Sequence, residues 1–176
     1  NIITIDLSKK NKSINLYLSI IKELIQNNCN KDSLIIALGG GSIGDSVGFI
    51  ASTYYRGIDY INIPSTLLSM IDSSIGGKTA IDTAAGKNLI GTYYHPKMVI
   101  IDPTILNSIN KLEINSALFE AIKYSLAIDG TLFKYIKENI NNLKEKNDLS
   151  SLIEKCCEIK SQIIQIDEKD INDRKK

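Results

Sequence analysis

Leu34-Ile-Ile-Ala-Leu38 runs straight into Gly39-Gly-Gly-Ser-Ile-Gly-Asp45, and this junction sets the architecture. An uninterrupted apolar run of that length suits a parallel strand buried on both faces. Consecutive glycines then allow a tight turn whose backbone N–H groups can approach ligand oxygens closely. Residues 42–54 read as a helix with small residues on its packing face. Strand, glycine turn and helix in this order are the context of a dinucleotide phosphate loop, where the helix N-terminus receives the phosphates. Gly39, Gly41 and Gly44 fall at the offsets of a GxGxxG pattern, although tight strand–helix turns use glycine too.

The same alternation continues on both sides. Residues 13–28 carry Ile14, Leu16, Leu18, Ile21, Leu24 and Ile25 near helical spacing, which predicts an amphipathic helix. Ile2-Ile-Thr-Ile5 reads as a strand, Tyr60-Ile-Asn-Ile63 as another stopped by Pro64, and Met98-Val-Ile-Ile101 as one closed by Asp102-Pro103. Residues 65–73 can open a helix with Ser65 as N-cap. Beyond Ile109 the strands cease, and residues 113–126, 132–143 and 149–166 are helical by period and propensity. The expected fold class is therefore α/β: a Rossmann-like parallel-sheet part over residues 1–109, followed by an all-helical domain over residues 110–176. Ligands of such open sheets bind beyond the carboxyl ends of the strands.

Composition narrows the function. Hydrophobic residues make up 43% of the 176, enough for a core, and 21 basic against 20 acidic residues give a net charge of +1. No global field draws the chain to nucleic acid or an anionic membrane, so any anion site is local. Cys29, Cys156 and Cys157 form no CxxC pair or metal spacing, which points to a reducing, cytoplasmic setting. No apolar run approaches the roughly 20 residues a membrane helix needs, and no signal-peptide pattern opens the chain. Its first residue, Asn1, stands just before the expected strand, and a fragment is expected.

Chemistry concentrates in Asp72-Ser-Ser-Ile-Gly-Gly-Lys78-Thr and Gly86-Lys87-Asn88-Leu-Ile-Gly. These place a carboxylate, two ammonium groups and an amide among small residues that bury little apolar surface. Surface charge on a mobile loop explains most lysines, but here it must also explain Gly76, Gly77, Gly86 and Gly91. Lysines beside glycines suit an anionic, phosphorylated ligand. Glu120 and Lys123, three apart, share one helical face and form either a surface ion pair or part of a site beside the apolar stripe of Ala117, Ala121 and Leu126. His95, the one histidine, is structural or exposed.

Together with Arg56-Gly57 and Pro64-Ser-Thr-Leu-Leu68, the order and spacing of these motifs resemble the 3-dehydroquinate synthase family from about Leu34 to Arg174. The resemblance implies NAD contacts at Gly40, Gly41 and Asp45, with Ser65, Thr66 and Leu68 beside the cofactor. It makes Lys78, Lys87, Asn88 and Lys123 catalytic, the first two also touching cofactor, and Arg56, Asp72, Lys160 and Arg174 substrate ligands. Glu120 becomes a ligand of a divalent metal, zinc or cobalt. The implied reaction is conversion of 3-deoxy-D-arabino-heptulosonate 7-phosphate to 3-dehydroquinate and phosphate in the shikimate pathway. The implied partners are a small sugar phosphate and a second copy in a full-length homodimer, with no nucleic acid or membrane. The chain is expected to be the inactive middle of an enzyme, because the family supplies two metal-binding histidines after this point and nucleotide-binding strands before it. Other sugar-phosphate cyclases, glycerol dehydrogenases and a non-catalytic NAD- or partner-binding module share parts of the pattern.

Overall fold

The computed structural model describes residues 12–127, 130–146 and 149–169, the side chains of Tyr124 and Ala127 excepted. The strand expected at residues 2–5 and the candidate ligand Arg174 lie outside the described residues. Two compact units emerge: Asn1–Ile63 with Gly77–Ile100, and Pro64–Gly76 with Ile101–Lys176.

In the first unit, helix α1 (Ile14–Gln26) starts at Ser13, whose hydroxyl caps Leu16 N. Leu16, Ile20 and Leu24 recur every fourth residue and pack with Ile50, Tyr54 and Ile58. Burying each leucine or isoleucine contributes about 2 kcal/mol. Strand β1 (Ile35–Gly39) leads into α2 (Gly41–Thr53), followed by β2 (Tyr60–Pro64). A further strand, the last among the described residues, covers only Met98–Val99. It pairs in parallel with β2, Ile61 opposite Met98 and Asn62 opposite Val99. The sheet order places β2 centrally, with β1 on its other side. The expected strand over residues 98–101 is thus shorter, although Ile100 N still donates to Asn62 O at 2.9 Å.

β1 also departs from the expectation of burial on both faces. Ala37 is fully buried on the side where α2 packs, whereas Ile36 and Leu38 are 58% and 63% exposed. A continuous apolar run cannot show which of its faces is covered.

The larger surprise is the glycine- and alanine-rich stretch, which forms an antiparallel hairpin rather than a loop. Strand β3 (Lys78–Thr83) and strand β4 (Gly86–Tyr93) pair Lys78 with Tyr93, Thr79 with Thr92 and Ala80 with Gly91; the Met98–Val99 strand follows as β5. The Thr83 hydroxyl donates to Gly86 O and accepts from Ala85 N, closing the turn. Small residues are required where α2 lies on this hairpin and where its own two strands meet. A Cβ at Gly48 would stand 2.4 Å from Thr79 Cγ2, and one at Gly91 only 2.3 Å from Thr79 O.

In the second unit, a short helical turn ending in π-type bonding at Ser69–Ser73 packs with α3 (Lys111–Ala127), α4 (Gly130–Lys144) and α5 (Leu149–Ile166). Met70, Ile71, Ile114, Leu132 and Leu152 form its buried centre. The cap of the short turn is Thr66, not Ser65. Thr66 Oγ1 accepts from Ser69 N at 3.2 Å while Ser69 Oγ accepts from Thr66 N at 3.1 Å, a reciprocal pair that leaves Ser65 one residue too early. Among the described residues no helix is long and apolar enough to cross a membrane.

Candidate functional site

In the first unit the glycine loop ends at Gly40, whose extended backbone (φ −73°, ψ −177°) caps α2 without any side-chain hydrogen bond. The first N–H groups of a helix have no intrahelical partner and carry its positive end. A strand that delivers such an uncapped, side-chain-free terminus fits a phosphate group. Gly44 faces Asn62, whose amide nitrogen would stand 3.1 Å from an added Cβ.

One turn further, the Asp45 carboxylate accepts from Lys12 Nζ at 2.6 Å. Lys12 also donates to Asn88 Oδ1 and lies 3.9 Å from Asp82 Oδ1, with its side chain only 10% exposed. Asp82 in turn accepts from the Asn88 backbone N–H at 2.9 Å. Asn88 sits at φ +58°, in the left-handed region that costs most residues energy and that asparagine tolerates. Sequence reasoning found Asp45 and Asn88, and gave Asp82 no contact role, but missed Lys12. The run Lys9-Lys10-Asn11-Lys12 looks like a solvated charge patch, and nothing local shows that its last lysine is buried.

The remaining first-unit candidates are dispersed. Lys78 and Lys87 are exposed and stand at opposite ends of the hairpin, Lys78 at its open end and Lys87 just past the turn. Arg56 is exposed at φ +64°, between Tyr55 at +50° and Gly57 at +123°, in a sharply reversed segment. The His95 ring lies over Gly77, where an added Cβ would meet its atoms at 3.0–3.1 Å. Tyr60, buried below the hairpin, donates its hydroxyl to Tyr94 O, and burial, reinforced by the Asp45 charge, raises its pKa.

The second unit holds a separate group. Asp72, within the π-type turn, pairs with Lys160 of α5 at 2.5 Å, the side chains 28% and 17% exposed. The Ser74 hydroxyl is buried with no hydrogen-bond partner among the described residues. Burial holds the thiols of α5 protonated: Cys156 is pushed up to about 12, with Cys157 and Asp72 adding to the effect, and Cys157 to about 11. Thr66 is taken up by its bonds to Ser69, Ser65 is half-buried, and Leu68 is exposed. On α3, Lys123 Nζ donates to both Glu120 carboxylate oxygens at 2.9 Å, with Lys123 71% and Glu120 24% exposed. Glu120 is thus held near the buried Ala117 and Ala121 while its partner reaches into water. Among the described residues no three His, Cys, Asp or Glu side chains group closely enough to hold a metal ion.

A family model described as 3-dehydroquinate synthase N-terminal matches residues 2–116, and one described as 3-dehydroquinate synthase C-terminal matches residues 117–176. The 3-dehydroquinate synthase of Caldanaerobacter subterraneus subsp. tengcongensis is 49% identical over 144 residues, covering 81% of this chain and 40% of that protein. The chain spans less than half the length of the curated relatives it matches. Among solved structures, the 2-epi-5-epi-valiolone synthase ValA of Streptomyces hygroscopicus subsp. jinggangensis, with NAD+ and Zn2+ bound, superposes with a TM-score of 0.88 at 26% identity, over 97% of this chain and 48% of that one. A 2-deoxy-scyllo-inosose synthase complexed with carbaglucose-6-phosphate, NAD+ and Co2+ gives a TM-score of 0.86 at 26% identity, over 93% of this chain and 45% of its own.

Proposed function

The chain belongs to the 3-dehydroquinate synthase family, and on that premise we propose that the whole protein converts 3-deoxy-D-arabino-heptulosonate 7-phosphate to 3-dehydroquinate and phosphate. The observation that carries this reading is the 49% identity to a curated 3-dehydroquinate synthase. The two cyclases that share the fold at 26% identity motivate the alternative, another sugar-phosphate cyclase.

NAD is the proposed cofactor, and the uncapped Gly40–Gly41 terminus of α2 is where its phosphates fit. Bound, it supplies a reversible hydride acceptor for one substrate hydroxyl, so the reaction has no net redox. Asp45, Ser65, Thr66 and Leu68 are the further residues assigned to the cofactor. Zinc or cobalt is the proposed metal, with Glu120 as this chain's ligand. A catalytic zinc takes about three protein ligands, and the described residues do not form such a set. The chemistry assigned to this chain is therefore that of its side chains.

Lys78, Lys87 and Arg56 neutralise the phosphate and carboxylate of the substrate, Arg56 through a bidentate fork. Lys160 and Arg174 add cations. Lys160 also pairs with Asp72, whose carboxylate is assigned as an acceptor for a substrate hydroxyl. Lys123 binds substrate beside Glu120, and Asn88 donates from its amide. In this reading residues 1–109 handle the nucleotide and carry the substrate loop, and residues 110–176 begin the helical part that binds metal and substrate. The protein works in the cytoplasm as a homodimer, without nucleic acid or membrane partners.

The test is phosphate release by the whole protein with NAD, zinc and the heptulosonate phosphate, set against sugar phosphates that lack a carboxylate. Release from the heptulosonate with formation of dehydroquinate is the expected result. Turnover confined to the sugars without a carboxylate would move the assignment to the alternative cyclases. No turnover of any sugar phosphate, with NAD still bound, would leave a binding module.

A further inference from the structure

We infer that Lys12 is a positioning residue: its ammonium group fixes the orientation of the Asn88 side-chain amide and ties it to Asp45 of α2. Four observations meet at this point. Lys12 is nearly buried, and a lysine removed from water needs anionic or carbonyl partners for its donors. It finds them on two elements far apart in sequence, Asp45 at the start of α2 and Asn88 on β4. Its own backbone carbonyl accepts from Asp82 N, which locks the lysine to the hairpin as well. Asp82 then accepts from the Asn88 backbone N–H, so Asn88 is held through main chain and side chain together. That double restraint accounts for a left-handed residue on an exposed strand end.

The chemical consequence concerns the amide. A carbonyl oxygen and an NH2 group are interchangeable in shape but not in charge. An ammonium group accepts nothing, so Lys12 selects the rotamer with Oδ1 toward itself and leaves Nδ2 outward. Among the described residues no partner takes the Nδ2 hydrogens. Asn88 therefore presents a fixed pair of donors, suited to an oxygen-rich ligand such as a phosphate or sugar hydroxyl. Without Lys12 both amide orientations become accessible, and the donor pair is no longer held toward the ligand. The functional part of this inference rests on the activity proposed above; the structural part does not.

Two measurements separate them. In the 15N-labelled chain, the Asn88 side-chain NH2 signals should be well resolved, collapse toward random-coil positions in Lys12→Met, and stay resolved in Lys12→Arg. Melting of both variants, followed by circular dichroism, shows that each remains folded. Unchanged Asn88 signals in a folded Lys12→Met variant would overturn the inference, whatever the enzyme does. In the whole enzyme, Lys12→Met should lower kcat at least tenfold while KM changes less than threefold. It should cost nothing further once Asn88→Ala is present, and Lys12→Arg should restore most of the rate. Independent, multiplying effects of Lys12→Met and Asn88→Ala would show that Lys12 does not act through Asn88. If the wild-type enzyme releases no phosphate at all, the reading of the activity fails, and the NMR result still decides the role of Lys12.

Discussion

Glu120 and Lys123 form the closest charged pair on α3, yet their surroundings differ. Lys123 stands mostly in water, so as a simple surface ion pair the two would contribute roughly 0–1 kcal/mol. The proposed roles predict something larger and divided. In the whole enzyme Glu120→Gln should lower metal content, because a neutral amide is a poor ligand, while Lys123→Met should keep the metal and raise KM. Metal analysis and steady-state kinetics of both variants check this, and near-wild-type values in both would return the pair to the surface. Cys156 offers a test that needs no activity. Burial lifts its folded pKa to about 12 from an ordinary 9.0. Its stabilising effect is fully present below pH 9, where both states bind the proton, and is lost as pH rises through the folded value. Between those limits the unfolded thiol ionises first, so stability should fall by on the order of 4 kcal/mol. Denaturant titrations from pH 8 to 11 should show the decline beginning near 9, and Cys156→Ala should lessen it, leaving the share that the buried Cys157 thiol contributes. At pH 8 iodoacetamide should leave Cys156 unmodified in the folded chain, since only the thiolate reacts.

Among the elements, the contact of α2 with the β3–β4 hairpin depends most on one absent atom. Gly48→Ala places a methyl group 2.4 Å from Thr79 Cγ2 and close to the Tyr60 hydroxyl, so helix or hairpin must shift. Overpacking of that kind costs about 1–3 kcal/mol. Urea unfolding of Gly48→Ala should show a loss in that range, and the double variant Gly48→Ala/Thr79→Ser should recover part of it. The same elements show what a sequence can and cannot convey. α1 and α5 were legible because their apolar residues repeat at helical spacing over three turns or more, and β1 because a glycine turn ends it. The hairpin was not, since Thr79-Ala-Ile-Asp82 and its glycine-bearing partner carry no alternation of large apolar and polar residues. Its pairing rests on backbone bonds and close approach, which leave no periodic trace. Thr66 displaced Ser65 as cap because the reciprocal bond needs a hydroxyl three residues on, at Ser69. Among the site residues, the glycine loop and the Asp72 and Glu120 motifs could be read because their spacing is local. Lys12 could not, because its partners lie 33 and 76 positions away.

For the whole molecule, the outward row of β1 and its neighbours has a thermodynamic consequence. Ile36, Leu38 and Met98 stand more than half exposed while the chain is folded. Unfolding releases no new hydration at surface that is already wet, and hydration of apolar surface is what gives unfolding its positive heat-capacity change. Scanning calorimetry of this chain should therefore record a step below the usual 12–15 cal/mol/K per residue, roughly. A smaller step flattens the dependence of stability on temperature. The chain should accordingly lose less of its stability on cooling than a fully covered sheet of the same length, and its cold-denaturation limit should lie further below freezing.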